Sequence, residues 1–176
     1  MTTLVENQMD ENPSYDISLR NRWVLWFHRV DDDNWGNDSY IKIYELETYE
    51  DILFILREVP NITSGMFFLM KDGIFPTYED PTNYHGGSWS LRVTKKDSYD
   101  VWQKLLYYLC VDRLAKDDRL NDMLNGISIS PKINNCIFKI WNTNFKGMKQ
   151  DSLRKDIEGI SMNPGDVFYV KHEPTC

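Results

Sequence analysis

Cysteine is scarce in this chain, and the few residues it has are badly spaced for joint work. Cys110, Cys136 and Cys176 are odd in number and far apart, which argues against a disulfide framework and against paired metal ligands. His28, His85 and His172 are likewise too scattered to form a metal site. Positive charge is also short: 20 Lys and Arg face 27 Asp and Glu, for a net charge of −7. A protein that grips long duplexes through many phosphates is normally basic, so that class is set aside. No window approaches the roughly 18 apolar residues of a membrane span. The polar start Met1–Glu11 has no signal-peptide pattern. A cytoplasmic, monomeric protein without membrane contact is expected.

What is abundant is aromatic. Phe, Trp and Tyr make up 14% of 176 residues, including six Trp and ten Tyr. That exceeds what one core of this size requires, and surplus aromatics serve wide, flat contacts. The length suits a single domain. Residues 1–18 are polar and aperiodic and read as a flexible arm, leaving 19–176 as the folded domain. The acidic run Asp31–Asp33 reads as solubilising charge.

Strand-like alternation begins at Arg22 and continues over about Tyr40–Leu46. Thr48-x-x-Asp51 has the form of a capping box opening a helix over Tyr49–Glu58, stopped by Pro60. Met66–Met70 and Trp89–Val93 read as strands. Trp102, Leu105, Leu106 and Leu109 stripe a helix over about Tyr99–Val111. Asp117–Asn125 and Gln150–Ile160 read as short helices. Ile127–Ser130 and Cys136–Trp141 read as a hairpin, and Val167–His172 as a last strand. Short turns between strands predict an α+β fold with a mainly antiparallel sheet, helices covering one face.

One segment carries chemistry. Lys71-Asp72-Gly73-Ile74-Phe75-Pro76-Thr77-Tyr78-Glu79-Asp80, followed by Gly86-Gly87-Ser88-Trp89, sets an aromatic ring beside a carboxylate on a loop stiffened by Gly73 and Pro76. A purine is gripped this way: the ring stacks on the base and the carboxylate accepts from its edge. With Trp23-x-x-Trp26 and Trp35 upstream, the stretch resembles the cap-binding translation initiation factor 4E family. The likeness runs from about Leu19 to Thr175. It implies a strongly curved antiparallel sheet with about three helices on its convex face and a slot for the 7-methylguanosine cap of messenger RNA on the concave side.

By that resemblance, Trp35 and Tyr78 are the two slices of a sandwich around the methylated base, whose positive charge adds a cation–π term to stacking. The family carries Trp where this chain has Tyr78. Glu79 accepts from the ring N–H and exocyclic amine of guanine, a donor pair that adenine lacks. Trp141 corresponds to a Trp at the methyl group; alone it reads equally as a strand-end core residue. Lys132 corresponds to a phosphate-contacting Arg. The family's later lysine falls on Ile137, so Lys139, on the same strand face, is the candidate substitute. The partner surface for a scaffold factor 4G-like protein or a 4E-binding repressor falls on Leu19, Tyr49, Leu53, Trp102, Gln103 and Tyr107. Leu53 stands where the family has the Trp that receives a Tyr-x-x-x-x-Leu-φ peptide. The Asn-, Ile- and Asp-rich composition fits a divergent member from an AT-rich genome, a viral one included.

No catalytic residue, cofactor or metal is expected. An enzyme acting on capped RNA needs converging carboxylates or a nucleophile with its base, and Asp31–Asp33 are consecutive on a loop. The leading expectation is a cap receptor acting in translation initiation. The alternative is a cap-occupying repressor that does not recruit the usual scaffold, and a third reading is an interaction module that keeps the fold without the ligand.

Overall fold

A computed structural model describes residues 17–173. The expected N-terminal arm lies outside the described residues except for Ile17 and Ser18, and Ser18 already begins the first strand. Seven strands are described: β1 (Ser18–His28), β2 (Ile41–Thr48), β3 (Met66–Lys71), β4 (Gly87–Thr94), β5 (Leu124–Pro131), β6 (Asn135–Asn142) and β7 (Val167–Lys171). They form one sheet in the order β2-β1-β3-β5-β6-β4-β7, antiparallel at every pairing. The helices are α1 (Tyr49–Glu58), α2 (Ser98–Cys110) and α3 (Asp118–Asp122).

Local chemistry explains these elements. Thr48 caps α1 as expected: its hydroxyl accepts from the Asp51 amide at 3.3 Å, and Asp51 accepts from the Thr48 amide at 2.9 Å. Asp117 caps α3, accepting from the Leu120 amide at 2.8 Å. Alternation within strands divides side chains between two faces. Trp23, Leu25, Phe67, Leu69, Ile127, Phe138, Ile140 and Trp89 join the inner stripes of α1 and α2 in one core. Tyr40, Met66, Phe68, Met70 and Trp141 form a second cluster, backed by Trp26, Phe75 and Tyr78. β3 is therefore covered on both faces, which is why its sequence is a continuous apolar run. Cys110 and Cys136 are buried free thiols, and burial pushes the Cys110 thiol well above its ordinary range.

Three expectations are corrected. Gln150–Ile160 is not helical. The Lys116 amide donates to Ser152 O at 3.0 Å and the Arg154 amide to Leu114 O at 3.0 Å, so these backbone groups bond across to a neighbouring segment. Gly159, at φ +77°, then turns the chain. Leu153, Ile157 and Ile160 still reach the core, so helix-like spacing served an irregular segment. α3 is shorter than expected, because Leu124 already belongs to β5. Trp102 and Leu19 were assigned to the partner surface, yet they are only 1% and 8% exposed. On α2, Trp102 faces the sheet together with Leu105, Leu106 and Leu109, while Tyr107 points outward at 49% exposure.

This division predicts opposite outcomes on one helix. Trp102→Ala should lower unfolding free energy by about 3–5 kcal/mol, the range for emptying an aromatic site in a core. Tyr107→Ala should stay within about 0.5 kcal/mol. Urea melts of the two variants check this; similar midpoints would show that Trp102 is not packed as described.

Candidate functional site

On the face opposite the helices, a cleft of about 510 Å³ is lined by Trp35, Tyr78, Glu79, Lys139 and Trp141. Three separate stretches of the chain supply these residues, and the sheet brings them together. Its floor is the second hydrophobic cluster, with Phe68 edge-on to Trp141 at 6.4 Å.

Trp35 sits in the loop between β1 and β2. Asp32 accepts from the Asn34 amide at 2.9 Å and Asn34 from the Gly36 amide at 2.8 Å, so part of the acidic run shapes this loop. The Trp35 ring lies parallel to His28, 4.4 Å away and 4° from coplanar, and remains 54% exposed. His28 is fully buried, with Nδ1 2.7 Å from Arg29 O and Nε2 2.8 Å from Asn34 O. The outer ring thus rests on an inner ring whose two nitrogens both lie against backbone carbonyls.

Tyr78 and Glu79 ride on the loop joining β3 to β4. Gly73 starts it at φ +83°, a conformation that L side chains rarely adopt. Asp80 accepts from the amides of Phe75 at 2.9 Å and Thr82 at 2.8 Å. Asn83, fully buried, donates to Phe75 O at 3.0 Å and Thr77 O at 2.8 Å, and accepts from Asn125 at 2.9 Å. At Gly86 a Cβ would lie 1.8 Å from Asn142 O, so only glycine lets the loop rejoin the sheet there.

The Tyr78 ring lies 5.0 Å from Trp141 and 4.6 Å from His172, and Lys139 Nζ donates to its hydroxyl. Trp141 is 3% exposed and donates to Ser128 Oγ at 2.9 Å, so it is a strand core residue and a wall of the cleft at once. Tyr40, edge-on to Phe75 at 5.1 Å, has its hydroxyl pKa pushed up to about 12, first by burial and then by the negative charge of Glu79. A neutral phenol therefore neighbours the Glu79 carboxylate.

Lys132 does not join this group. It sits in the β5–β6 turn, beside a different depression with Ile133 and Lys95, because a two-strand hairpin carries its tip away from the sheet's centre. Sequence reasoning missed His28, Tyr40, Asn83 and His172. The alternation that begins at Arg22 puts His28 on the same strand face as Trp26, a signal that could have found it; the other three have no local signal.

His172 has a testable consequence. Its Nδ1 is 2.8 Å from Asn83 O, while Nε2 is buried without a partner among the described residues. Burial lowers its pKa below the ordinary value of about 6.5, outweighing the Asn83 carbonyl, which favours the protonated ring, and the Lys139 charge adds to the lowering. The folded chain keeps the ring neutral where the unfolded chain takes up a proton. Stability from this group is complete above pH of about 6.5 and declines as pH falls towards the depressed folded value. Thermal melts from pH 7.5 to 5 should show this loss, and His172→Gln should flatten it. An unchanged slope in the variant would assign the acid sensitivity elsewhere.

A family model described as Eukaryotic initiation factor 4E matches residues 18–174. A rice (Oryza sativa subsp. japonica) protein, eukaryotic translation initiation factor NCBP, is 32% identical over 133 residues, covering 72% of this chain and 57% of the relative. A eukaryotic translation initiation factor 4E homolog of Acanthamoeba polyphaga mimivirus is 25% identical, covering 69% of this chain and 53% of its own length. The chain thus spans little more than half the length of these curated relatives. Among solved structures, C. elegans eIF4E-3 in complex with the 4E-binding protein Mextli and cap analog matches at TM-score 0.67 and 22% identity, over 74% of this chain and 76% of that one. Ascaris suum eIF4E-3 with m7G cap matches at 0.67 and 20%, over 78% of each chain.

Proposed function

The chain belongs to the eukaryotic initiation factor 4E family, and on that premise we propose that it binds the 7-methylguanosine cap of messenger RNA in the cytoplasm and acts in translation initiation as a binding protein. The observation that carries this reading is the convergence of Trp35, Tyr78 and Glu79 on one aromatic-floored cleft. The cap ligands bound by the C. elegans and Ascaris factors of the same fold support it.

Methylation at N7 gives the guanine a delocalised positive charge. Stacking one base contributes about 1–3 kcal/mol, and a desolvated cation–π contact about 2 kcal/mol or more. Trp35 and Tyr78 supply the two π faces, with Trp141 beside the methyl group. Glu79 accepts the paired donors of the guanine edge, worth about 1–3 kcal/mol against the wrong base. Tyr40 keeps that carboxylate next to a neutral neighbour. Lys139 reaches the cleft and is the cation offered to the cap phosphates, whereas Lys132 is displaced from it.

Fluorescence titration with 7-methyl-GTP tests the assignment, because stacking on Trp35 should quench indole emission. Glu79→Ala should weaken binding about 5- to 150-fold without unfolding the domain. Tyr78→Ala should remove most binding, and Tyr78→Trp should preserve or tighten it. Full affinity in Glu79→Ala would sink the role given to the carboxylate.

The partner face is proposed on the outer sides of α1 and α2. Leu53 is 69% exposed and Tyr107 49% exposed, and Tyr49 and Gln103 on the same two helices are half-buried. Such a strip accepts the apolar face of an amphipathic peptide helix from a 4G-like scaffold or a 4E-binding repressor. A Tyr-x-x-x-x-Leu-φ peptide suited to a Trp at position 53 should bind this chain weakly, and Leu53→Trp should strengthen its capture several-fold while leaving 7-methyl-GTP affinity unchanged. Equal, tight capture by both proteins would show that Leu53 does not limit the contact.

A further inference from the structure

A second depression, about 690 Å³, adjoins the cleft. Ile137 on β6 lines both, so the two depressions border one another at that residue. Sheet register fixes what lies beyond it. Ile137 is flanked by Ser130 of β5 and Arg92 of β4, and Lys139 by Ser128 and Ser90, with Phe168 of β7 opposite Ser90. Directly paired residues share a face, and so do residues two apart along a strand. Lys139, Ile137, Arg92, Ser90 and Phe168 therefore form one continuous surface leading away from Tyr78.

Two of these residues are spent on nothing within the fold. The Arg92 guanidinium is exposed and makes no ion pair or hydrogen bond among the described residues, as is also true of Arg113 and Arg119 elsewhere on the surface, whereas Arg20, Arg22, Arg29, Arg57 and Arg154 are each held by a carboxylate. β7 pairs with β4 only over Gly87–Leu91, so no strand pairs with Arg92 on the side away from β6, where the segment before β7 lines the depression. Phe168 is 60% exposed, on the outermost strand. An unpaired guanidinium and an open aromatic face in one depression are the two groups that hold a single-stranded nucleotide: a cation for its phosphate and a ring for its base.

We propose that this depression receives the first nucleotides of the RNA that follow the cap, with a phosphate on Arg92 and a base against Phe168, a reading that rests on cap binding in the neighbouring cleft. The far rim limits its length. Asp166, bonded to Ser161 Oγ at 2.5 Å, and Asp97, bonded to Thr94 Oγ1 at 2.7 Å, oppose a longer run of phosphates. The site thus takes one or two nucleotides, in keeping with an acidic chain. Charge confines the phosphate to the side nearer Lys139, and Ser90 between them offers a hydroxyl.

The test compares 7-methyl-GTP, a capped trinucleotide and the same trinucleotide uncapped, by fluorescence titration on the full chain. The capped trinucleotide should bind about tenfold tighter than 7-methyl-GTP, the gain of one stacked base with its phosphate contact. Arg92→Ala and Phe168→Ala should each erase most of that gain, and Arg92→Glu all of it, while 7-methyl-GTP affinity stays at the parent value and reports an intact fold. The salt dependence of trinucleotide binding should fall by about 0.7 in log–log slope for Arg92→Ala. A parent protein that binds 7-methyl-GTP but gains nothing from the added nucleotides overturns this inference alone, as does a gain that survives in Arg92→Glu. A parent that ignores 7-methyl-GTP overturns the cap reading and this inference with it.

Discussion

The amide of Asn83 donates to Phe75 O and Thr77 O and accepts from Asn125 on β5, and its own carbonyl faces His172. The loop it serves carries Tyr78 and Glu79 and has no helix or strand of its own. Backbone groups in such a segment must find partners or lose the full cost of desolvation. One buried side chain meets several of these demands and ties the loop to the sheet. Asp80 meets two more from within the loop. The position of the ring and carboxylate is therefore a property of the sheet as much as of the motif that contains them.

The same economy appears in the two histidines. His28 lies flat under Trp35, and His172 packs against Tyr78 and Trp141. Both are buried, and both are fixed by backbone carbonyls. An exposed aromatic ring loses rotamer freedom when it stacks on a ligand; a ring already resting on a rigid neighbour has less to lose. In the proposed cap complex, preorganisation suits a net charge of −7, which leaves few cations to draw RNA in and favours a small, well-shaped contact. Under the same proposal, Arg92 and the cleft-lining Lys139 extend that contact by a short distance.

Much of the fold was readable because it rests on local chemistry. The capping box at Thr48 and Asp51 predicted α1 to the residue, and the run Met66–Met70 announced a strand buried on both faces. The helical stripe of Trp102, Leu105 and Leu109 was also visible, yet the same stripe argued against offering Trp102 to a partner, and the packing of α2 on the sheet decided for burial. Leu153, Ile157 and Ile160 show the reverse error. Their spacing is helical, but cross-chain bonds from Ser152 and Arg154 to the segment at 114–116 settled the backbone otherwise.

By itself the sequence determined the chemistry available: an aromatic–carboxylate loop started by Gly73, an upstream Trp35, and a shortage of cations. These follow from residue type and short spacing. Tertiary structure alone decided which groups share the cleft. Lys139 entered because alternation on β6 turns it to the face of Trp141, and Lys132 left because a hairpin tip projects beyond the sheet. Tyr40 came to lie beside Glu79, and His28 beneath Trp35, through pairings between β1, β2 and β3 that join distant parts of the chain. Register and burial are collective properties of the whole sheet, and no short window of sequence contains them.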